Sequence, residues 1–419
     1  MNSRIYYGEY SLKHWIHLIL TGNITLPDYQ RSFVWHDSDI VRLMKSFEEK
    51  QFVQPVTIAL LNSQNESKGK NLILDGQQRL TSVLLAYMGY APDTSKFEEA
   101  ENTASEDDSE NNDPDGTKRQ KAIKWTFREL LSSNADNNTR DSIVKRLQQD
   151  SRYKRLEPIS TPLDFFDKAF LGFSYIVPQT KDPAEIEKGY AKMFRNMNYF
   201  GKRLSAIESR QSLYYMKSEY RCFFEGKTRD NQDVLCNIKI SDNLQANKID
   251  LVRYLSTLAQ YSITGNAKNV LKWYSSYSSR ESYYADFVSY LLGLEQEENP
   301  LKFSGFSFNS AFPNECWLQR YETLKQSVED MKTEFVLNKN EAFSSWIDAD
   351  YWLFGLIYYI VFEGKVLVDN RADLFRKIKN RIKVAKGTSA SGYSKNPNQL
   401  GNLRARLIDS LSIYKKYVQ

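Results

Sequence analysis

The sequence has few cysteines and no long apolar run. Cys222, Cys236 and Cys316 are scattered and show neither a disulfide framework nor a zinc-binding spacing. The longest apolar block, residues 351–362, has twelve residues, whereas a membrane-spanning helix needs roughly 20. The N-terminal residues also lack the apolar stretch of a signal peptide. We therefore expect a cytoplasmic protein without a membrane segment, in which residues 351–362 form a buried core helix.

Histidine is equally scarce. The chain has three histidines, His14, His17 and His36, all within its first 36 residues. His14 and His17 are three residues apart on a predicted helix, a spacing that suits a metal, but no cysteine or carboxylate lies beside them, which disfavours a metal site. No histidine downstream of His36 is available as a general base. A Walker A sequence is also absent.

The charge is distributed unevenly. Residues 93–116 contain ten acidic residues against Lys96, a local charge of −9, so the net charge of +5 leaves +14 on the rest of the chain. Residues 364–419 carry thirteen Lys and Arg against three Asp, a charge of +10. A cationic region of this size suits a polyanion such as DNA, although a solvated lysine-rich surface explains any single helix equally well. Residues 93–119 are acidic and nearly free of apolar side chains, which predicts a disordered insertion.

The hydrophobic pattern predicts an α+β protein with two domains, residues 1–204 and 205–419. In the first domain we predict helices at 11–20, 38–50, 80–88 and 184–198 and strands at 55–61, 72–74 and 172–178. The second domain reads as mostly helical, with helices at 250–261, 282–294, 317–336, 348–362, 371–385 and 398–417. Short strands are predicted there at 221–224, 235–240 and 302–308.

One segment, Leu74-Asp75-Gly76-Gln77-Gln78-Arg79-Leu80-Thr81, combines the end of a strand, a polar turn and the start of a helix. Such a junction presents free backbone N–H groups and the positive end of the helix dipole, which together favour an anion. Asp75 could hold a metal ion or a ribose hydroxyl, and Arg79 could bind a phosphate. An ordinary tight turn with Asp75 as the helix cap explains this segment equally well.

Two further motifs accompany that segment. Upstream lies Leu26-Pro27-Asp28-Tyr29-Gln30-Arg31-Ser32-Phe33-Val34-Trp35, and downstream a looser block runs from Met193 through Asn198 to Glu208 and Arg210. In this order, the motifs resemble the N-terminal domain of GmrSD-type (type IV) restriction enzymes, a branch of the ParB/sulfiredoxin-like fold. The resemblance covers residues 20–90 most closely, and both motifs there are intact.

The resemblance implies that the Asp75–Arg79 segment binds and hydrolyses a nucleoside triphosphate with Mg²⁺. Catalytic roles fall to Asp75, Gln78 and Arg79, and Asp75 is the metal ligand. Nucleotide contacts are expected from Gln30, Arg31, Gly76, Gln77 and Asn198. Glu208 and Arg210 are weaker candidates, because helix packing or a surface ion pair would explain them equally well. Without a Walker A motif, binding is better supported than hydrolysis.

Full-length relatives of that family carry an HNH-like nuclease domain, whose mechanism needs a histidine base. Because no histidine follows His36, we expect no HNH domain here and a separate nuclease subunit as partner. The leading hypothesis is therefore a nucleotide-dependent, DNA-sensing subunit of a bacterial anti-phage restriction system. The alternatives are a DNA nickase that gathers Asp28, Asp75 and Glu208 around a metal, and a non-enzymatic scaffold. The sequence leaves open whether the chain forms a homo-oligomer.

Overall fold

The computed structural model confirms the α+β class. It describes residues 3–26, 33, 35–61, 70–97, 103–104, 123–133, 137–156, 162–180, 182, 185–186, 189–190, 193, 210–211, 213–214, 218–235, 248–272, 274, 277–294, 302–335, 346–369, 371–387 and 396–419. The chain divides into two compact units. The first comprises residues 1–100 and 118–203, and the second comprises residues 101–117 and 204–419.

The described residues contain nine strands, most of them in the first unit. They are β1 (Ser3–Ser11), β2 (Ile24–Thr25), β3 (Val56–Leu61), β4 (Lys70–Asp75), β5 (Tyr90–Pro92), β6 (Thr103–Ala104), β7 (Tyr153–Arg155), β8 (Phe170–Pro178) and β9 (Lys248–Ile249). Five of them form a mixed sheet in the order β1-β8-β3-β4-β2. The pairs β1–β8 and β3–β4 are antiparallel, and β8–β3 and β2–β4 are parallel. Two short ladders, β5–β7 and β6–β9, complete the pairing.

The helices of the first unit bury one side against a shared core. They are α1 (Leu12–Leu20), α2 (Asp37–Glu48), α3 (Gln77–Met88), α4 (Arg140–Gln149) and α5 (Phe165–Lys168). The Ser11 hydroxyl accepts a hydrogen bond from the backbone N–H of His14 at 3.2 Å, which caps α1. Leu12, Trp15 and Ile19 then bury completely, as their helical spacing predicts. Helix α3 is buried along nearly its whole length and packs into the core of the first unit.

The second unit is built from helices. They are α6 (Ser218–Glu225), α7 (Leu251–Thr264), α8 (Tyr277–Leu291), α9 (Phe308–Ala311), α10 (Trp317–Phe335), α11 (Asp350–Ile357), α12 (Arg371–Gly387) and α13 (Leu400–Tyr414). Single 3₁₀ turns lie at Phe127–Leu130, Ala267–Asn269, Pro313–Glu315 and Trp346–Ala349, the first of them in the first unit, and a π turn at Tyr358–Phe362 extends α11. Every residue of α11 is buried, which confirms the core helix expected there. Among the described residues, no helix is both long and apolar enough to cross a membrane.

Two predicted strands of the second unit are wrong. Residues 221–224 lie in α6, because Phe223 and Phe224 are both buried and the Phe223 ring stacks on Tyr321 of α10 at 5.9 Å. Tertiary packing thus overrides the strand propensity of an aromatic run. Residues 302–308 form a turn that leads into α9, and the N–H of Phe306 donates to the carbonyl of Phe303 at 2.7 Å. Most of the third predicted strand, 235–240, lies outside the described residues.

Part of the predicted acidic insertion is ordered. The Asp93 carboxylate accepts hydrogen bonds from the N–H and hydroxyl of Ser95, and these bonds hold its pKa below the usual range. The Phe97 ring packs on Tyr153 at 5.5 Å. Further along, Thr103 and Ala104 pair in parallel with β9. The start of the predicted disorder at residue 93 is therefore too early, because turn chemistry and one aromatic contact extend the fold to Phe97.

Candidate functional site

The Asp75–Arg79 segment lies where β4 ends and α3 begins, as predicted. Asp75 is the last residue of β4, opposite Thr57 of β3, and the register of that pair shifts between Thr57 and Ile58. Gly76 is the residue that caps α3, so the interpretation of Asp75 as the helix cap is wrong. Because glycine has no side chain, the cap residue itself contributes no side-chain oxygen to this helix start. A cap residue without a side chain is compatible with the anion-site interpretation.

Gly76 is required at this turn for two reasons. Its φ angle of +94° lies in the left-handed region, which side chains other than glycine rarely adopt. A Cβ atom there would also lie 3.0 Å from Cγ2 of Val56 and 3.1 Å from a terminal guanidinium nitrogen of Arg79. The absence of a Cβ thus brings the guanidinium of Arg79 close to the backbone of the turn.

Arg79 is held by three oxygen atoms at the mouth of this turn. Its Nη2 donates to Oδ2 of Asp75 at 2.7 Å and to the carbonyl of Pro55 at 3.4 Å, and its Nη1 donates to Oε1 of Gln54 at 3.1 Å. The Arg79 side chain is 12% exposed, whereas that of Asp75 is 42% exposed. The ion pair thus presents its acidic half to solvent and keeps the guanidinium inside.

Gln77 and Gln78 lie in an environment that differs from the one their predicted roles require. Both residues are buried, so their amides do not project freely into solvent. Behind them, the hydroxyls of Thr81 and Ser82 and Nε of Arg79 are buried and make no hydrogen bond within the part of the chain that the structure describes. Three unsatisfied polar atoms at one helix start are unusual, since buried polar groups normally find a partner.

The other predicted nucleotide contacts cannot be placed. Gln30, Arg31 and Asn198 lie outside the described residues, as do Asp28 and Glu208 of the nickase hypothesis. The two ends of the Gln30-Arg31 segment are nevertheless anchored in the first unit. On one side the Leu26 carbonyl accepts a hydrogen bond from the Arg128 guanidinium. On the other, Phe33 pairs with Ile123 in an isolated antiparallel bridge.

Arg210 is not at the surface. Its guanidinium is buried and donates to Asp250 at 2.5 and 3.3 Å, and Nη2 lies 3.3 Å from Oε2 of Glu281. Burial alone would lower the pKa of Arg210, but the two carboxylates raise it above its usual value. The predicted alternative of an ion pair therefore fits better than a ligand contact, although the pair lies in the core rather than at the surface.

No metal cluster accompanies Asp75 among the described residues. Within that part of the chain, no group of three His, Cys, Asp or Glu side chains is arranged to hold a metal ion. His14 and His17 have ring centres 6.4 Å apart, and His14 packs on Tyr10 instead. Asp75 as a magnesium ligand stays a prediction, and the ion would need other oxygens from the nucleotide and from water.

The basic C-terminal region is largely paired with acids. In α12, Arg371 contacts Asp330 at 2.6 Å, Arg381 contacts Asp409 at 2.8 Å, and Lys377 contacts Asp373 at 3.1 Å. Arg376 and Lys386 pair with Asp373 and Asp348. Two of these acids, Asp330 and Asp348, lie outside residues 364–419, so the +10 counted along that region overstates the charge available to a polyanion.

The comparisons with known proteins address this first unit. Residues 12–215 match the N-terminal domain of the GmrSD restriction endonuclease. Over these residues the chain belongs to the GmrSD N-terminal domain family. An uncharacterized protein of Methanocaldococcus jannaschii is 37% identical over 90 residues, which cover 17% of this chain and 15% of that protein. The chain thus spans a small part of that relative's length. No solved structure matches the chain.

The GmrSD match contains every predicted site residue. It extends from α1 past the end of the first unit at residue 203 and includes Arg210, which lies in the second unit. Sequence reasoning missed Gln54 and Pro55, which bind Arg79 from the residues before β3. No motif marks Gln54, and only the antiparallel pairing of β3 with β4 brings it beside the turn.

Proposed function

We propose that this GmrSD-family chain binds a nucleoside triphosphate at the Asp75–Arg79 turn and acts in restriction of foreign DNA. The observation that carries the proposal is the start of α3, which begins at a left-handed glycine without a side-chain cap. Backbone N–H groups and the helix dipole favour an anion there. Arg79, a few residues away, adds a fixed positive charge.

The ion pair between Asp75 and Arg79 supports this assignment. The Asp75 carboxylate accepts a hydrogen bond from Nη2 of Arg79 at 2.7 Å, and a phosphate oxygen would take the same position. A phosphate binds a guanidinium in the same geometry as a carboxylate. Because Asp75 is well exposed, it can leave Arg79 and turn toward a Mg²⁺ ion that arrives with the nucleotide.

Hydrolysis is the less supported half of the proposal. Arg79 would neutralise charge that develops on the transferred phosphoryl group, and Gln78 would orient the attacking water. Gln78 is buried, so this role requires the first turn of α3 to open toward the ligand. Gln30, Arg31 and Asn198 would complete the nucleotide contacts. Asp75 is the proposed Mg²⁺ ligand and the base that orients the water.

Nucleotide affinity of the full chain tests the proposal. We expect Arg79→Ala and Asp75→Ala to weaken binding of a fluorescent ATP or GTP analogue in the presence of Mg²⁺ at least about tenfold, because each removes a charged ligand contact. Arg152→Ala is the matched control, since Arg152 forms a similar 2.7 Å pair with Asp150 in the same unit. Wild-type affinity in both site variants would refute the nucleotide site.

DNA is the proposed partner of the basic C-terminal half, together with a separate nuclease subunit. In α12, Arg376, Lys379, Lys383 and Lys386 recur at intervals of three and four residues and so lie along one side of the helix. Their spacing suits a row of phosphates. Exposed ion pairs such as Arg376–Asp373 contribute little energy and can exchange for phosphate contacts.

A further inference from the structure

Among the described residues, the first strand of the sheet lies at its edge. In the sheet order, β1 is the terminal strand and its only described neighbour is β8. The two strands pair without a register shift over nine residues, from Ser3 opposite Pro178 to Ser11 opposite Phe170. β1 contains no proline and no bulge, two devices that keep an edge from pairing with another chain, and its charged residues, Arg4 and Glu9, lie away from its centre.

Three large apolar or aromatic side chains, Ile5, Tyr6 and Tyr7, are exposed at the centre of this edge. All residues from Arg4 to Glu9 are exposed, and Tyr7 reaches 77% exposure and Tyr6 49%. Because side chains alternate along a strand, Ile5 and Tyr7 lie on one face of the sheet and Tyr6 on the other. An aromatic strand that is open on both faces and along its edge is typical of an interaction surface.

The sequence of β1 is complementary to itself. In an antiparallel pair of two β1 strands centred on a two-fold axis, Tyr6 faces its own equivalent, and Ile5 faces the second copy's Tyr7. Aromatic pairs and aromatic–β-branched pairs are favourable cross-strand neighbours. Arg4 then lies opposite glycine and Glu9 opposite Ser3, so no like charges meet.

We propose that β1 pairs with β1 of a second copy of this chain, antiparallel and centred on Tyr6. This pairing joins two five-stranded sheets into one continuous sheet of ten strands. A contact built on one strand belongs to the small class of interfaces, below about 1,200 Å², so the dimer forms at micromolar concentration rather than permanently. The proposal is independent of the nucleotide site.

Substitutions of opposite charge at position 6 test the pairing, because only this position lies opposite its own equivalent in the second copy. Sedimentation of the full chain across a micromolar concentration series measures the dimer. We expect Tyr6→Lys and Tyr6→Glu each to raise the dissociation constant at least about tenfold, since like charges then meet across the axis. An equimolar mixture of the two variants should restore the dimer. Phe52→Lys is the control, because Phe52 is 87% exposed in the same unit and outside β1.

Circular dichroism spectra that match the wild type would show that the variants fold. A wild-type chain that stays monomeric up to hundreds of micromolar would overturn the proposal. A dimer that tolerates Tyr6→Lys would also overturn it. If each variant dissociates but the mixture remains monomeric, the Tyr6-centred pairing is wrong.

Discussion

At the scale of single residues, Gly76 connects the fold with the proposed function. Its left-handed backbone turns the chain from β4 into α3, and its missing Cβ lets Val56 and Arg79 approach the turn. The same missing side chain leaves the helix start without a cap. One residue type therefore satisfies the backbone geometry, the packing and the anion site together.

We expect Gly76→Ala to destabilise the chain more than Gly89→Ala does. Both glycines have a positive φ, which costs an alanine about 1–2 kcal/mol. At Gly76 the new methyl would also press against Val56 and Arg79, whereas at Gly89 nothing lies within 4 Å. Thermal unfolding of the two variants provides the comparison. Equal losses of stability in the two variants would mean that the turn at residue 76 moves away from Val56 at no energetic cost.

At the scale of elements, a buried charge network ties three helices of the second unit. Asp350, at the start of α11, accepts two hydrogen bonds from Arg253 of α7 at 2.6 and 2.8 Å. The hydroxyl of Tyr254 and Nε of Arg406 of α13 donate to the same carboxylate at 2.8 and 2.9 Å. Burial alone would raise the pKa of Asp350, but the two guanidinium groups lower it below its usual value.

We expect Asp350→Asn to cost about 3–5 kcal/mol at neutral pH, because it removes the buried carboxylate that pairs with both Arg253 and Arg406. Asp330→Asn, which removes the partly exposed partner of Arg371, should cost at most about 1 kcal/mol. Urea unfolding measures both. Since the folded pKa of Asp350 is lowered, its stabilisation is complete above the unfolded value of about 3.9 and is lost as the pH falls through the folded pKa. The difference between wild type and Asp350→Asn should therefore shrink at acid pH.

Structure that depends on neighbouring residues could be predicted from the sequence, whereas structure that depends on residues far away in the sequence could not. The β4–α3 junction follows from an apolar run, a glycine and a helical period within about fifteen residues, and the structure places all three as expected. Asp350 binds residues 97 and 56 positions away, so no pattern around it indicates its partners. Phe223 was assigned to a strand for the same reason, since its helix is fixed by aromatic residues about a hundred positions downstream.

At the scale of the whole molecule, the net charge of +5 conceals opposite regions. Acids concentrate in residues 93–116 and cations in residues 364–419, but many cations of α12 already contact an aspartate. Binding of DNA would therefore be an exchange, in which phosphates replace carboxylates at exposed side chains. DNA binding by such an exchange weakens steeply with salt, because each phosphate contact releases counterions condensed on the DNA.

A salt titration of DNA binding tests that exchange. We expect the affinity of the full chain for a labelled duplex of about 30 base pairs to fall linearly on a log–log plot between roughly 50 and 200 mM NaCl. Arg376→Ala and Lys383→Ala should each weaken binding and reduce the slope by about 0.9, the value for one lost phosphate contact. Both side chains are exposed on α12, so neither substitution disturbs the core. Lys13→Ala, in the first unit, removes another exposed cation and should leave the slope unchanged. If all three variants keep the wild-type slope, the phosphates are bound elsewhere and α12 is a solvated surface, because a contact that releases no counterion cannot contribute to the salt dependence.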